Sequence, residues 1–221
     1  MGMKPRSFMP SVVEISPGEA GSILGLDATV SYWTEGDCSA MEWLEEVQEI
    51  WGPAAFTMRR GEDTLGYILY GPPEHLPHAG RYPLGPLCED GALLAYVEGD
   101  SRTRRHLMVR MLRDLRSRGI ERVESVTSDL GLPKHVPTAV LLDSGWRPER
   151  HGWRGGSPYT LAYTELGSAV EVGGLARGLI GRVKLPHLKK SPSPVPGAFN
   201  RATLSGEFPG QSADDPSRVG L

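Results

Sequence analysis

Cysteine is nearly missing from this chain: among 221 residues only Cys38 and Cys88 carry a thiol, far apart and outside any CxxC or Cys/His cluster. That excludes a disulfide framework and a cysteine-based zinc site, and both are read as partly buried thiols. No window approaches the roughly 20 apolar residues of a membrane span. The start, Met1-Gly2-Met3-Lys4-Pro5-Arg6, lacks the apolar stretch of a secretory signal, so a cytoplasmic protein without membrane contact is expected. His75, His78, His106, His135 and His151 are scattered without metal-ligand spacing, so no metal is expected. Ser125 and Thr127 have no placed histidine or carboxylate with which to build a hydrolase triad. No internal repeat is present.

Positive charge is missing from one whole stretch. Between Ser7 and Met58 there is no Lys or Arg, while Glu14, Glu19, Asp27, Glu35, Asp37, Glu42, Glu45, Glu46 and Glu49 are acidic. From Arg102 to Arg122 the sign reverses, with eight arginines against Asp114 and Glu121. Such a run suits a phosphate-rich ligand or an acidic partner surface, or is simply a solvated helix face. Aromatic residues for base stacking are not interleaved with it and the overall pI is about 6.1, so no nucleic-acid partner is expected.

With 39% hydrophobic and 23% charged residues the chain can bury one sizeable core, and roughly 150 to 170 ordered residues would form one mixed domain. Strands are read at Ser11 to Ile15, Ala54 to Arg60 and Thr64 to Tyr70, the last two joined by a hairpin-length Gly61-Glu62-Asp63. Between the first two, Ser39 caps a helix that runs to Trp51 and stops at Gly52-Pro53, with Met41, Leu44, Val47 and Ile50 or Trp51 as its buried face. Pro72, Pro73, Pro77, Pro83 and Pro86 mark an extended loop.

Gly91 to Val97 then reads as a strand buried on both faces, followed by a helix around Leu107 to Arg118 and a strand Val123 to Thr127, a right-handed βαβ crossover. Leu107, Met108, Met111, Leu112 and Leu115 form the buried stripe of that helix. Arg102, Arg105, Arg113 and Arg116 lie opposite. A short helix from Pro137 to Leu142, closed by Gly145, and a last strand from Tyr159 to Glu165 complete the domain. Residues 1–10 are expected to be a flexible N-terminus and 11–166 the folded domain. Residues 167–188 are read as an extension with a short helix, and 189–221 as a disordered Pro/Ser/Gly-rich tail.

Several words in this order carry a likeness: Trp51-Gly52-Pro53, Gly66-Tyr-Ile-Leu-Tyr-Gly-Pro-Pro73, Tyr82-Pro-Leu-Gly-Pro86, Asp90-Gly-Ala-Leu-Leu94, Asp114-Leu-Arg-Ser-Arg-Gly119 and Pro137-Thr-Ala-Val-Leu-Leu-Asp-Ser-Gly-Trp146. Over roughly residues 35 to 166 the chain resembles the GNAT (GCN5-related N-acetyltransferase) superfamily, and within it actinobacterial proteins of similar length. The resemblance implies an α/β (α+β) fold with a mixed, mostly antiparallel, centrally splayed sheet flanked by helices on both faces. It also implies acetyl-CoA as acyl donor and a small-molecule or protein amine as acceptor. The acidic segment from Glu35 to Glu49 falls where such proteins build the acceptor side, which suggests a cationic amine. The sequence leaves the oligomeric state open.

In that superfamily the strand ending at Val97 pairs with the pantetheine arm, which assigns donor binding to Ala95, Tyr96 and Val97. The loop after it, Arg/Gln-x-x-Gly-x-Gly/Ala, turns backbone amides toward the pyrophosphate at the positive end of a helix. Here the two glycine positions fall on Arg102 and Arg104 and the preceding Arg/Gln on Gly99, so the loop is degenerate. Arg102, Thr103, Arg104 and Arg105 are then the candidate phosphate ligands, through side-chain rather than amide bonds. The tyrosine that protonates the leaving thiolate in many such enzymes is replaced by Leu141. Glu98 is the candidate general base, ahead of Asp90, and an amide of Val97 or Glu98 the candidate oxyanion donor. The competing reading is a non-catalytic binding or regulatory protein that kept this fold and lost the loop.

Overall fold

The computed structural model describes residues 9–36 and 38–167. The expectations for the first eight residues, and for the extension and tail beyond Gly167, lie outside the described residues. Strand β1 (Ser11–Glu14) is followed by a 3-10 turn and by helix α1 (Leu26–Trp33), which the sequence did not announce. Helix α2 (Ala40–Ile50) begins as its sequence requires. The Ser39 hydroxyl accepts from the Glu42 amide at 3.3 Å, and the Ser39 amide donates to the Glu42 carboxylate at 2.9 Å. This closes two otherwise unpaired donors of the first turn. Its buried face is Ala40, Trp43, Leu44 and Val47, while Met41 and Ile50 are 50% and 65% exposed. The expected stripe is therefore shifted by Trp43, whose indole nitrogen donates to the His75 carbonyl at 2.8 Å.

Strands β2 (Ala55–Arg60) and β3 (Asp63–Gly71) form the expected hairpin, and the proline-rich loop after them contains 3-10 turns at Pro73–His75 and Pro77–Arg81. The crossover unit is β4 (Ala92–Val97), α3 (Ser101–Ser117) and β5 (Arg122–Ser128). The two-residue β6 (Val136–Pro137), α4 (Thr138–Asp143), β7 (Arg147–Arg154) and β8 (Ser157–Glu165) follow. The single sheet runs β1-β2-β3-β4-β5-β8-β7, antiparallel throughout except at β4/β5 and where β6 pairs with β5. β7 is a second unexpected element, an edge strand whose Arg-Pro-Glu-Arg-His run is mostly solvent-facing.

Alternate residues of the central strands serve two cores, as strand pleating dictates. Tyr67 and Leu69 of β3 face a core built with α1 and α2, including Val30, Trp33, Trp43 and Leu44. Ile68 and Tyr70 face the other, built with Leu107, Met111 and Leu115 of α3 and Leu141 of α4. α3 thus buries the expected stripe and leaves Arg102, Arg105, Arg113 and Arg116 outside. Its C-terminal end is tied to the turn after α2. Arg118 pairs with Asp114 at 2.8 Å, donates to the carbonyls of Trp51 and Pro53 at 2.6 and 3.1 Å, and lies over the Trp51 ring.

Candidate active site

The splay expected between β4 and β5 is present, and its geometry is set by two irregularities. Parallel pairing stops after Ala92 with Val123 and Leu93 with Glu124. On its other side β4 stays paired to β3, but the register slips between Leu69/Tyr96 and Tyr70/Leu94, which leaves Ala95 as a bulged residue. A bulge bends the strand that carries it. Beyond Leu93, β4 therefore diverges from β5, and Ala95 to Val97 have no strand on that side. The apex of the wedge is bridged by Ser125, whose hydroxyl donates to the Leu94 carbonyl at 2.8 Å. Further along, β6 takes the edge of β5 that β4 has left.

At the end of β4 the Glu98 amide donates to the Tyr67 carbonyl at 2.8 Å, and the exposed Glu98 side chain lies beside the Tyr67 phenol and Gly25. A side chain at Gly66 would run into the Glu98 carbonyl, so that glycine is what lets β3 and the end of β4 close up. Burial holds the Tyr67 phenol above its ordinary range, its bond with Thr29 opposes this, and the Glu98 charge adds to it. Thr29 Oγ1 lies 2.8 Å from Tyr67 Oη and 3.2 Å from the Lys134 ammonium, which donates to it. Lys134 itself sits at φ 65°, an uncommon left-handed backbone for a lysine. A carboxylate, a phenol, a hydroxyl and an ammonium from the turn after β4, β3, α1 and the loop before β6 thus converge beside the end of β4. Tyr67, Thr29 and Lys134 carry no local sequence signal that marks them.

Next to this group, α1 and the same loop meet in a buried hydrogen-bond chain. Tyr32 Oη and Tyr82 Oη are 2.6 Å apart, Tyr82 donates to His135 Nε2 at 2.6 Å, and His135 Nδ1 donates to the Pro133 carbonyl at 3.0 Å. That carbonyl can only accept, which fixes the tautomer. Burial pushes His135 down to about 4, with the Pro133 bond opposing and the charges of His78 and Arg154 adding, while burial pushes Tyr82 up. At neutral pH His135 is therefore neutral, and its two ring nitrogens are both paired within the chain.

The phosphate side differs more from the sequence reading. Arg102, Thr103, Arg104 and Arg105 do not form a loop: they are the first turns of α3, and the turn is only Glu98-Gly99-Asp100, with Gly99 at φ 121°. Asp100 caps the helix, its carboxylate accepting from the Thr103 amide at 2.7 Å, and its carbonyl accepts from the Arg104 amide at 2.9 Å. Amide bonds from Thr103 and then Arg102 hold its carboxyl below the ordinary range. The Thr103 amide, one of those that would cradle a pyrophosphate, is therefore occupied by an internal anion, and a second anion at this turn would face the Asp100 charge. On this side Arg104 Nε is buried and unbonded, and the guanidinium lies near enough to Tyr96 to lower the phenol that burial and Glu98 raise.

Part of the acidic segment is committed locally: Glu35 is bonded to Arg81 and lies 3.9 Å from His78, Glu42 caps its own helix, and Glu46 lies 3.5 Å from His75. Before it, Asp27 accepts from the Ala40 amide at 2.8 Å. Leu141 is fully buried in the core under α4. Among the described residues there is no cluster able to hold a metal ion and no helix long and apolar enough to cross a membrane.

No family model matches the chain, and none of the curated proteins does. Its architecture is similar to that of solved acetyltransferases. YncA of Salmonella typhimurium, a candidate acetyltransferase solved with acetyl-CoA, aligns over 72% of this chain and 96% of its own with 11% identity and a TM-score of 0.52. A ribosomal-protein-alanine N-acetyltransferase from Brucella melitensis aligns over 71% and 99% with 15% identity and a TM-score of 0.51. An N-acetyltransferase from Staphylococcus aureus Mu50 aligns over 72% and 99% with 10% identity and a TM-score of 0.51. In the order of its elements and its mostly antiparallel sheet, the described part of this chain has the α/β fold of these solved acetyltransferases.

Proposed function

We propose that the protein transfers an acyl group from a thioester, acetyl-CoA in the first instance, to an amine of a small molecule or a protein. The observation that carries this reading is the bulged, diverging end of β4, with Ala95 to Val97 unpaired toward the wedge and the Glu98 carboxylate standing beside Tyr67 at its tip. Glu98 would take the proton from the attacking amine, directly or through one water. Catalysis would otherwise come from holding amine and thioester together. Arg104 would meet the donor's phosphate charge through its side chain.

A second reading, a non-catalytic binding or regulatory protein on the same fold, is favoured by the Asp100 carboxylate on the α3 amides and by Leu141 in place of a tyrosine. Calorimetric titration with acetyl-CoA, joined to a thiol-release assay over a panel of amines, separates the two. Heat of binding and amine-dependent thiol release are expected. No heat at millimolar acetyl-CoA and no release above background would leave the second reading standing.

A further inference from the structure

The arginines of α3 are not spread evenly over solvent. Arg105, His106, Val109, Arg110 and Arg113 line a groove of about 380 Å³ whose opposite wall is Val12 of β1. Among the described residues Arg105 and Arg113 have no ion-pair partner, and Arg110 lies over the buried Phe56 ring at 4.6 Å. The one acid of α3, Asp114, is buried against Tyr70 and Arg118 and gives the groove no counter-charge. Glu14, which stands on the same face of β1 as Val12 and across from Phe56, is the one described carboxylate beside this wall; against Arg105, Arg110 and Arg113 it leaves the flank with net positive charge, and the floor is apolar.

Among the described residues the strand beside it has no partner on its outer side. β1 is the edge of the sheet. Its register with β2, and the bond from the Ile15 amide to the Ala55 carbonyl at 3.1 Å, turn Ser11, Val13 and Ile15 toward β2. In an antiparallel ladder this leaves the amides and carbonyls of Val12 and Glu14 facing outward. A chain added there would sit about 4.8 Å beyond β1, with every second side chain on the α3 face of the sheet. Those side chains would lie along the flank that carries Arg105, Arg110 and Arg113.

We propose that β1 and the arginine flank of α3 together bind an acidic polypeptide segment in extended conformation, which adds as a strand to β1 and places alternate carboxylates against these arginines. Main-chain pairing supplies the geometry and the charge pattern supplies the selectivity. A second copy of this chain is the poorer occupant, because two-fold pairing through β1 sets the two arginine rows against each other. The inference does not depend on acyl transfer, since it uses neither Glu98 nor the wedge.

The test uses the full chain and a fluorescent octapeptide alternating Glu and Val, followed by anisotropy. Saturable, salt-weakened binding is expected. Replacing Glu by Lys in the peptide, N-methylating its alternate amides, or introducing Arg110→Glu with Arg113→Glu into the protein should each weaken it by about tenfold or more. Val12→Pro removes an outward donor without touching the β1–β2 ladder and should act in the same direction. N-methylation leaves the protein unaltered, so the result stands even where a variant folds poorly. Equal binding of the Lys peptide, indifference to N-methylation, full competition by inorganic polyphosphate with no effect of Val12→Pro, or self-association through β1 would each overturn the proposal.

Discussion

The Asp100 carboxylate accepts from the Thr103 amide at 2.7 Å, so the first turn of α3 carries its own anion. Asp100→Ser keeps a hydroxyl cap and removes the charge. Calorimetry with coenzyme A is expected to show tighter binding to this variant than to the wild type by about tenfold, while a pantetheine thioester without the nucleotide is bound equally by both. Asp100→Ala should lower the melting temperature, since it leaves the Thr103 amide uncapped. Unchanged coenzyme A affinity in the Ser variant would show that the cap does not compete with phosphate.

Stability should fall on mild acidification through His135. Its folded-state pKa of about 4 lies below the ordinary 6.5, so the unfolded chain takes up a proton that the folded one refuses. The contribution is complete above about pH 6.5 and is lost as pH falls toward 4, amounting to on the order of 3 kcal/mol. Thermal melts across that range should show the slope, and His135→Gln should flatten it while lowering the melting temperature at neutral pH. A wild-type melting temperature that stays constant between pH 7 and 4.5 would contradict the buried neutral histidine.

Arg118 joins the end of α3 to the turn after α2 through Asp114, two carbonyls and the Trp51 ring. Replacing it with Met keeps much of the packing but strands the Asp114 charge. Urea unfolding should report a loss of about 3 kcal/mol. A double variant that also carries Asp114→Asn should recover part of that loss, because the stranded charge is gone.

Glu98→Gln preserves shape and removes the base. If Glu98 deprotonates the amine, thiol release at neutral pH should drop by about a hundredfold in kcat while acetyl-CoA binds the variant as tightly as the wild type. A drop matched by an equal loss of acetyl-CoA affinity would mean that Glu98 only positions the end of β4.

The fold was legible where the signal is local. Ser39 with Glu42 marks α2, Leu107 to Leu115 marks the buried face of α3, and Gly61 lies in the turn between β2 and β3, each readable within a few residues. α1 was not, because it is eight residues long, starts at Gly25 with φ 81°, and includes the β-branched Thr29 and Val30. What holds it is remote: Trp33 donates to the Lys134 carbonyl 101 positions away, and Lys134 donates to Thr29 105 positions away. β7 was hidden because an edge strand with one wet face lacks the apolar run that marks a buried strand. Glu98 stands as a candidate in the sequence because it directly follows such a run. Tyr67 and Lys134 acquire meaning only when β3 and the loop before β6 are brought together. The Arg102 to Arg105 reading assumed a loop because the family pattern puts one there, whereas Asp100 with the Thr103 amide is a local helix start.

The lacing of residues 133–135 to α1 has a kinetic consequence. Trp33, Thr29 and Tyr32 each hold a different group of that segment, so neither partner can open while the other stays closed. Helix and loop then form one cooperative unit whose amides exchange with solvent together. Since this unit also supplies Thr29 and Lys134 beside Tyr67, a molecule large enough to displace it would have to wait for the whole unit to unlatch, and its rate of entry would be set by the protein rather than by diffusion.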